Sequence, residues 1–199
     1  MIQNINSYEF NEACAILGDT FETSAPIAMV ITKKMYNFKS TIKAMTYLVN
    51  LVINQDNDDS EEEVHIFDPF IIEQLNEFLT NLPLWLLRYD NIDWTEFLSA
   101  YMILFENYIA VQENLIPMIG EEDVNGMNQA IAALAELKEL YSATEKLASM
   151  TVGYYTLIKA SSLLVDEMRR YEDVAPTTYR LSKLYIDSIN EMVKENESC

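Results

Sequence analysis

The chain has 199 residues, enough to bury a hydrophobic core without disulfides or a metal, and half of them are apolar. Its 32 acidic and 13 basic residues give a formal net charge of -19. Such a surface repels nucleic acid and anionic lipid headgroups, so neither direct nucleic-acid binding nor membrane association is expected.

Only 4 Gly and 5 Pro occur, and this favours helices because the turns of sheet proteins are rich in Gly. Cys14 and Cys199 lie at opposite ends of the chain and do not make a disulfide framework. The first residues lack the pattern of a signal peptide, and no stretch is long and apolar enough for a membrane span. These features predict a cytoplasmic protein, located in the host cytoplasm or the virion if its source is viral.

The first predicted helix follows Ser7, an N-cap candidate, and Gly18 is expected to end it before a loop. Residues 26–53 are predicted to be mostly helical. Their apolar positions are Tyr36, Ile42, Met45, Val49 and Val52. The same stretch carries a group of four basic residues, Lys33, Lys34, Lys39 and Lys43.

Residues 54–63 (NQDNDDSEEE) contain six acidic residues and no apolar one, which predicts a solvated loop. Asp68 followed by Pro69 predicts the start of the next helix, and Pro83 predicts a kink or break in it. Asp93 with Glu96 resembles a capping box. The helix behind it should end near Pro117, before a second polar loop at 120–126.

The C-terminal third has the most regular apolar pattern, with a 3-4 spacing that predicts one long helix over 140–171 with a buried stripe. Its two sets of heptad positions are Leu140, Leu147, Tyr154, Ser161, Met168 and Ala143, Met150, Leu157, Leu164, Tyr171. Pro176 should end this helix. A final helix over roughly 178–195 is predicted to fold back on it as a hairpin.

Together these elements predict an all-α bundle of about six to eight helices with a long C-terminal helical hairpin. N-terminal helices are expected at 1–53, an acidic loop at 54–67 and the main bundle at 68–199. With nothing reading as a strand or a flexible linker, the whole is expected to form one compact domain.

The residues offer little for enzyme chemistry. His65 is the one histidine and sits in an acidic context, so a catalytic role for it is not expected. Glu62 with His65 matches one half of a di-iron motif, which needs a second such pair. The acidic run has the wrong residues at the sixth and twelfth positions of a calcium loop, Glu61 and Phe67. No glycine-rich phosphate loop exists. We therefore expect no enzyme activity, no catalytic residue, no metal and no cofactor.

The candidate interaction residues are the four lysines and four aromatic residues, Trp85, Tyr89, Tyr154 and Tyr155. Tyr and Trp concentrate interface energy, although packing in the core is the commoner role. The lysines could contact an acidic surface on another copy, or simply be a solvated face. The sequence thus favours a structural or assembly component of a larger complex, with protein partners that include copies of itself. The alternative is an acidic inhibitor that imitates DNA or blocks the basic groove of a nucleic-acid enzyme.

Overall fold

A computed structural model describes residues 7–31, 33–54, 68–89, 92–169, 183–184 and 187, with the backbone alone at 24–31, 83–84, 87–88 and 151–169. Every long element in these residues is a helix. The five α-helices are α1 (Ser7–Ile31), α2 (Lys33–Asn54), α3 (Pro69–Arg88), α4 (Trp94–Leu115) and α5 (Val124–Arg169). A 3₁₀ turn, Ile116–Met118, follows α4. The prediction of an all-α fold is confirmed, since the described residues contain no strand.

Helix α4 is the centre of the bundle. Thirteen of its 22 residues are buried, which is far more than the single stripe of an ordinary surface helix. It packs against α1, α2 and α5, while α2 also contacts α1 and α3, and α3 contacts α5. Three helices therefore pack directly along α4, and α3 reaches it through the Phe78 ring, which lies 4.8 Å from the Tyr101 ring. The two N-terminal helices share one core with the later ones.

An aromatic cluster joins four of the helices. Phe38 of α2 stacks on Phe78 of α3 with ring centroids 3.9 Å apart, and Phe21 of α1 meets Phe97 of α4 edge-on at 5.7 Å. Such pairs add to the stabilisation from apolar burial. A separate contact between Phe105 and Tyr141, at 5.5 Å, joins α4 to α5.

The helix starts depend on aspartates. Asp68 Oδ1 accepts a hydrogen bond from the Phe70 amide at 2.9 Å, with Pro69 in the first turn. Asp93 Oδ1 accepts from the amides of Thr95 and Glu96 at 3.1 and 3.2 Å. Both predicted caps are confirmed, because a side-chain oxygen satisfies amides that lack a partner within the helix.

Three predicted interruptions are wrong. Helix α1 continues through Gly18, because Phe21 extends its apolar stripe into the aromatic cluster. Helix α3 continues past Pro83, so of the kink or break predicted there only the break is wrong. Helix α5 begins at Val124, inside the predicted loop 120–126, where Asp123 Oδ1 accepts from the Gly126 amide at 2.8 Å.

The long helix is confirmed as far as Arg169, but only one of its two predicted sets of stripe positions packs on the core among the described side chains. In that set, Leu140 and Leu147 are half-buried against the core. The other set is exposed. Ala143 is exposed and Met150 is 67% exposed. The stripe that faces α3 and α4 also has a 3-4 spacing, but it comprises Ala130, Leu134, Leu137, Tyr141, Thr144 and Ala148. The sequence holds two overlapping stripes, and packing selects the one that contains Thr144.

The acidic segment 55–67 and the predicted final helix lie outside the described residues, except for positions 183–184 and 187. The described part therefore has five α-helices, and the second helix of the predicted hairpin lies outside it. None of the described helices has the length and apolar character needed to cross a membrane.

Candidate protein-interaction surface

One face of α2 is exposed along most of its length. Its members recur at helical spacing, three or four residues apart. They are Lys33, Tyr36, Ser40, Lys43 and Tyr47, and we call this set the Tyr–Lys face. Tyr36 is 58% exposed and Tyr47 is 57% exposed. Two large aromatic side chains are thus placed on the surface, with Tyr36 between Lys33 and Lys43 and Tyr47 one turn after Lys43. Tyrosines are enriched in interface contacts, whereas the lysines add positive charge to the face.

The opposite face of α2 explains why these side chains point outward. The buried residues of the helix also recur every three or four positions, as Met35, Phe38, Thr41, Ile42, Met45, Val49 and Val52. The prediction placed Tyr36 on this stripe, but Met35 and Phe38 hold those positions. Tyr36 lies about half a turn away from Phe38, so it faces solvent.

The four predicted lysines lie on or beside the Tyr–Lys face. Lys33, Lys34 and Lys43 are exposed, and Lys39 is half-buried with its Nζ 5.9 Å from the centre of the Phe21 ring. Lys34 Nζ lies 3.5 Å from Asn81 Oδ1. Among the described residues, none of the four has a carboxylate within ion-pair distance, whereas Lys138 pairs with Glu113. Within the described part of the chain, no carboxylate therefore neutralises their charge.

A groove between α1 and α2 borders the Tyr–Lys face. It encloses a cavity of about 320 Å³ with an apolar floor that includes Leu17, Phe21 and Ile42. Lys43 and Tyr47 belong to both the groove and the face. The exposed face thus continues into a concave apolar surface, a shape that can receive a side chain of a bound protein.

Cys14 also lines this groove. Its thiol lies 3.9 Å from the Thr46 hydroxyl. Burial raises the pKa of Cys14, and the hydrogen bond with Thr46 lowers it by less. A raised pKa leaves less thiolate at neutral pH, so the groove does not activate this cysteine as a nucleophile.

A second groove, between α1 and α4, has the opposite charge. We call it the acidic groove; it measures about 590 Å³. Its acidic residues are Glu9, Glu12, Asp93 and Glu96, and small or aliphatic side chains such as Ala13, Ile16, Ala100 and Ile103 line the rest. No lysine or arginine lies among its described lining residues.

The four predicted aromatic contacts have different outcomes. Trp85 is 3% exposed and Tyr89 is 1% exposed, so both pack in the core. Trp85 contacts Phe38 and Phe78, and the Tyr89 carbonyl accepts a hydrogen bond from Trp94 Nε1 at 2.7 Å. The side chains of Tyr154 and Tyr155 lie outside the described part of the structure. Tyr36 and Tyr47 were missed. Their spacing from Lys33 and Lys43 is visible in the sequence, but only the buried face of α2 shows that this shared face is exposed.

Two buried tyrosines of α4 have strongly perturbed hydroxyls. Burial raises the pKa of Tyr101 far above its usual range, and Thr144 nearby opposes this slightly without forming a well-aligned hydrogen bond. Burial, followed by the charge of Asp68, raises the pKa of Tyr108, while Gln112 opposes the shift. Both shifts move the pKa values of these hydroxyls away from neutral. Proton transfer at pH 7 would require shifts in the opposite direction.

Metal binding has no candidate in the described residues, where no three His, Cys, Asp or Glu side chains are grouped to hold an ion. His65 lies outside them. Comparisons of the chain with protein-family models, with curated proteins and with solved structures give no match.

Proposed function

We propose that this chain is a non-enzymatic protein-interaction protein, a structural or assembly component of a larger complex. The observation that carries the proposal is the Tyr–Lys face, with two exposed tyrosines beside lysines that have no carboxylate partner in the described residues. A lone exposed aromatic residue is ordinary, but an aligned pair of exposed tyrosines resembles the composition of protein interfaces. The neighbouring lysines favour a partner of opposite charge. The partner surface should be acidic.

The pKa shifts of the described residues support the absence of catalysis in this proposal. Catalytic groups are usually tuned towards the working pH. Here burial moves the pKa values of Cys14, Tyr101 and Tyr108 upward, away from neutral. None of the three is brought closer to transferring a proton or attacking a substrate at pH 7.

The finer features of the fold remain part of this proposal. A helix over 178–195 would return along the outer half of α5 and complete the C-terminal hairpin, bringing the number of helices to six. The apolar positions Leu157 and Leu164 would then face a partner helix in the same chain. A location in the cytoplasm, or in the host cytoplasm or the virion if the source is viral, fits the low cysteine content.

The acidic inhibitor ranks second. The acidic groove supports it, because four carboxylates line one surface without a basic residue among the described lining positions. However, DNA presents its phosphates along a convex duplex, whereas these carboxylates line a concavity. An inhibitor of this kind would compete with DNA for a nucleic-acid enzyme. Competition that persists after Glu9 and Glu12 are neutralised would exclude the groove as its cause.

The test is the native mass of the protein in extracts of its natural source. We expect the 23.0 kDa chain to migrate in a larger complex, and the K33E/K43E variant to be released from it. The matched control is K138E/K146E, which changes the charge by the same amount on exposed positions of α5.

Circular dichroism melts should show that both variants remain folded. A monomeric wild-type chain in the extract would refute the assembly role. A complex that K33E/K43E leaves intact would refute the role of the Tyr–Lys face.

A further inference from the structure

The two charged surfaces of this molecule have complementary shapes. The Tyr–Lys face is the convex side of a helix, and the acidic groove is a concavity between two helices. Lys33 and Lys43 are ten positions apart, which corresponds to about 15 Å along α2. A ridge with two positive charges thus matches in sign a groove that is lined by Glu9, Glu12 and Glu96.

The lining of the acidic groove also suits an aromatic side chain. Ala13 and Ala100 provide small buried surfaces beside the half-buried Ile16 and Ile103. A tyrosine from a docked helix can place its ring against such a surface and leave its hydroxyl near the carboxylates. Tyr36, between the two lysines in sequence, is in the position to do so.

We propose that the partner of the Tyr–Lys face is the acidic groove of a second copy of this chain. This inference rests on the proposed function and identifies its acidic partner. Lys33 and Lys43 pair with the groove glutamates, and Tyr36 inserts between α1 and α4 of the neighbouring copy. Helix-in-groove docking of this kind recurs in protein recognition.

The placement of the two surfaces makes this association head-to-tail. On α1, Cys14, Gly18 and Glu22 line the groove beside α2, while Glu9, Glu12 and Ile16 line the acidic groove. At 3.6 residues per turn these two sets lie on opposite sides of the helix. Each copy therefore has one surface of each kind on opposite sides of α1. An interface between unlike surfaces leaves one unused surface at each end of the assembly. It therefore builds a ring when the rotation between copies closes, and a filament when it does not.

Sedimentation velocity of the purified full chain tests the proposal. At 0.15 M salt, we expect the mass to increase with protein concentration beyond that of a dimer. K33E/K43E alone and E9K/E12K alone should each raise the apparent dissociation constant about tenfold or more. An equimolar mixture of the two variants should associate again, because each exchanged surface then meets its complement.

Two controls exclude a general effect of charge. K138E/K146E and E136K/E139K change the charge by the same amounts on exposed positions of α5, and should associate like the wild type. Raising the salt from 0.15 to 1 M shortens the Debye length from about 8 to 3 Å. Repulsion between distant charges on the two copies is already screened at 0.15 M. The added salt therefore acts mainly on the close lysine–glutamate pairs, and the association should weaken.

The outcomes separate this inference from the proposed function. A wild-type chain that stays monomeric at every concentration overturns the self-association, while the native-mass experiment still decides the role in assembly. Association that is lost in K33E/K43E but kept in E9K/E12K overturns the acidic groove as the docking site. Association that resists K33E/K43E overturns the Tyr–Lys face itself.

Discussion

Tyr36 and Phe38 are two positions apart on α2 and lie in opposite environments, which allows a matched test of the fold. Phe38 is almost completely buried and contacts rings from three other helices, with the stacked Phe78 ring at 3.9 Å. Tyr36 is 58% exposed. Replacing each by Ala removes an aromatic ring from the same helix, so differences in helix propensity nearly cancel.

We expect Phe38→Ala to lower the free energy of unfolding by about 4–5 kcal/mol. Truncating a buried Phe costs about 3–5 kcal/mol, and the ring contacts of Phe38 with Phe21, Phe78, Trp85 and others favour the upper end. Tyr36→Ala should change it by no more than about 0.5 kcal/mol, as usual for surface substitutions.

Urea unfolding followed by circular dichroism measures both changes. With a slope of about 2 kcal/mol/M, Phe38→Ala should move the midpoint by roughly 2 M. If that variant is unfolded from the start, Phe38→Leu, which keeps most of the apolar volume, should cost about 1.5 kcal/mol or less. A loss above about 2 kcal/mol for Tyr36→Ala would refute the reasoning, because Tyr36 would then be a core residue and unavailable to a partner.

Three further predictions concern single helices. Gly18→Ala should raise the free energy of unfolding by about 0.5–1 kcal/mol, because an added Cβ meets no atom within 4 Å; an unchanged or lower value in urea would contradict this. Leu137→Ala should lower the free energy of unfolding by about 2–5 kcal/mol and Met150→Ala should leave it almost unchanged, since Leu137 is fully buried and Met150 mostly exposed. Equal losses would mean that Met150 is buried, as the heptad pattern predicted. Stability should fall as the pH rises above about 10, where tyrosines of the unfolded chain lose protons, because the raised pKa of Tyr108 keeps it protonated in the fold. Urea titrations at pH 9 to 11 should show a shallower fall for Tyr108→Phe, and an identical slope would exclude this cause.

The sequence predicted helix starts correctly where a side chain bonds backbone amides only a few residues away. The carboxylates of Asp68 and Asp93 bond amides two or three residues further on, so sequence spacing alone determines the contact. The expected stop at Gly18 and the expected break at Pro83 failed for the opposite reason. Apolar residues beyond each of them, such as Phe21 and Trp85, gain more from the shared core than the interruption costs.

The rotation of a helix about its own axis, which determines the side that is buried, was harder to predict from the sequence than the helix starts. On α5, apolar residues occupy more than one side, and whether Leu137 or Met150 is buried depends on where α3 and α4 lie. On α2, Tyr36 was placed with the core because it is aromatic, although Met35 and Phe38 fit the stripe better. The lysine group was found from its charge, but the tyrosines beside it became a candidate surface only when the buried face was known.

The central position of α4 has a consequence for how the chain folds as it is made. Phe21 of α1 packs against Phe97 of α4, so the first helix cannot complete its core until the fourth has left the ribosome. At about 5–20 residues per second, the roughly 80 residues between them take some 4–16 s to synthesise. During that delay α2 can pack against α1 and, once it has been made, against α3, but the side of α1 that packs on Phe97 stays uncovered. Newly made chains should therefore depend on chaperones during translation more than a helical protein built from local hairpins would.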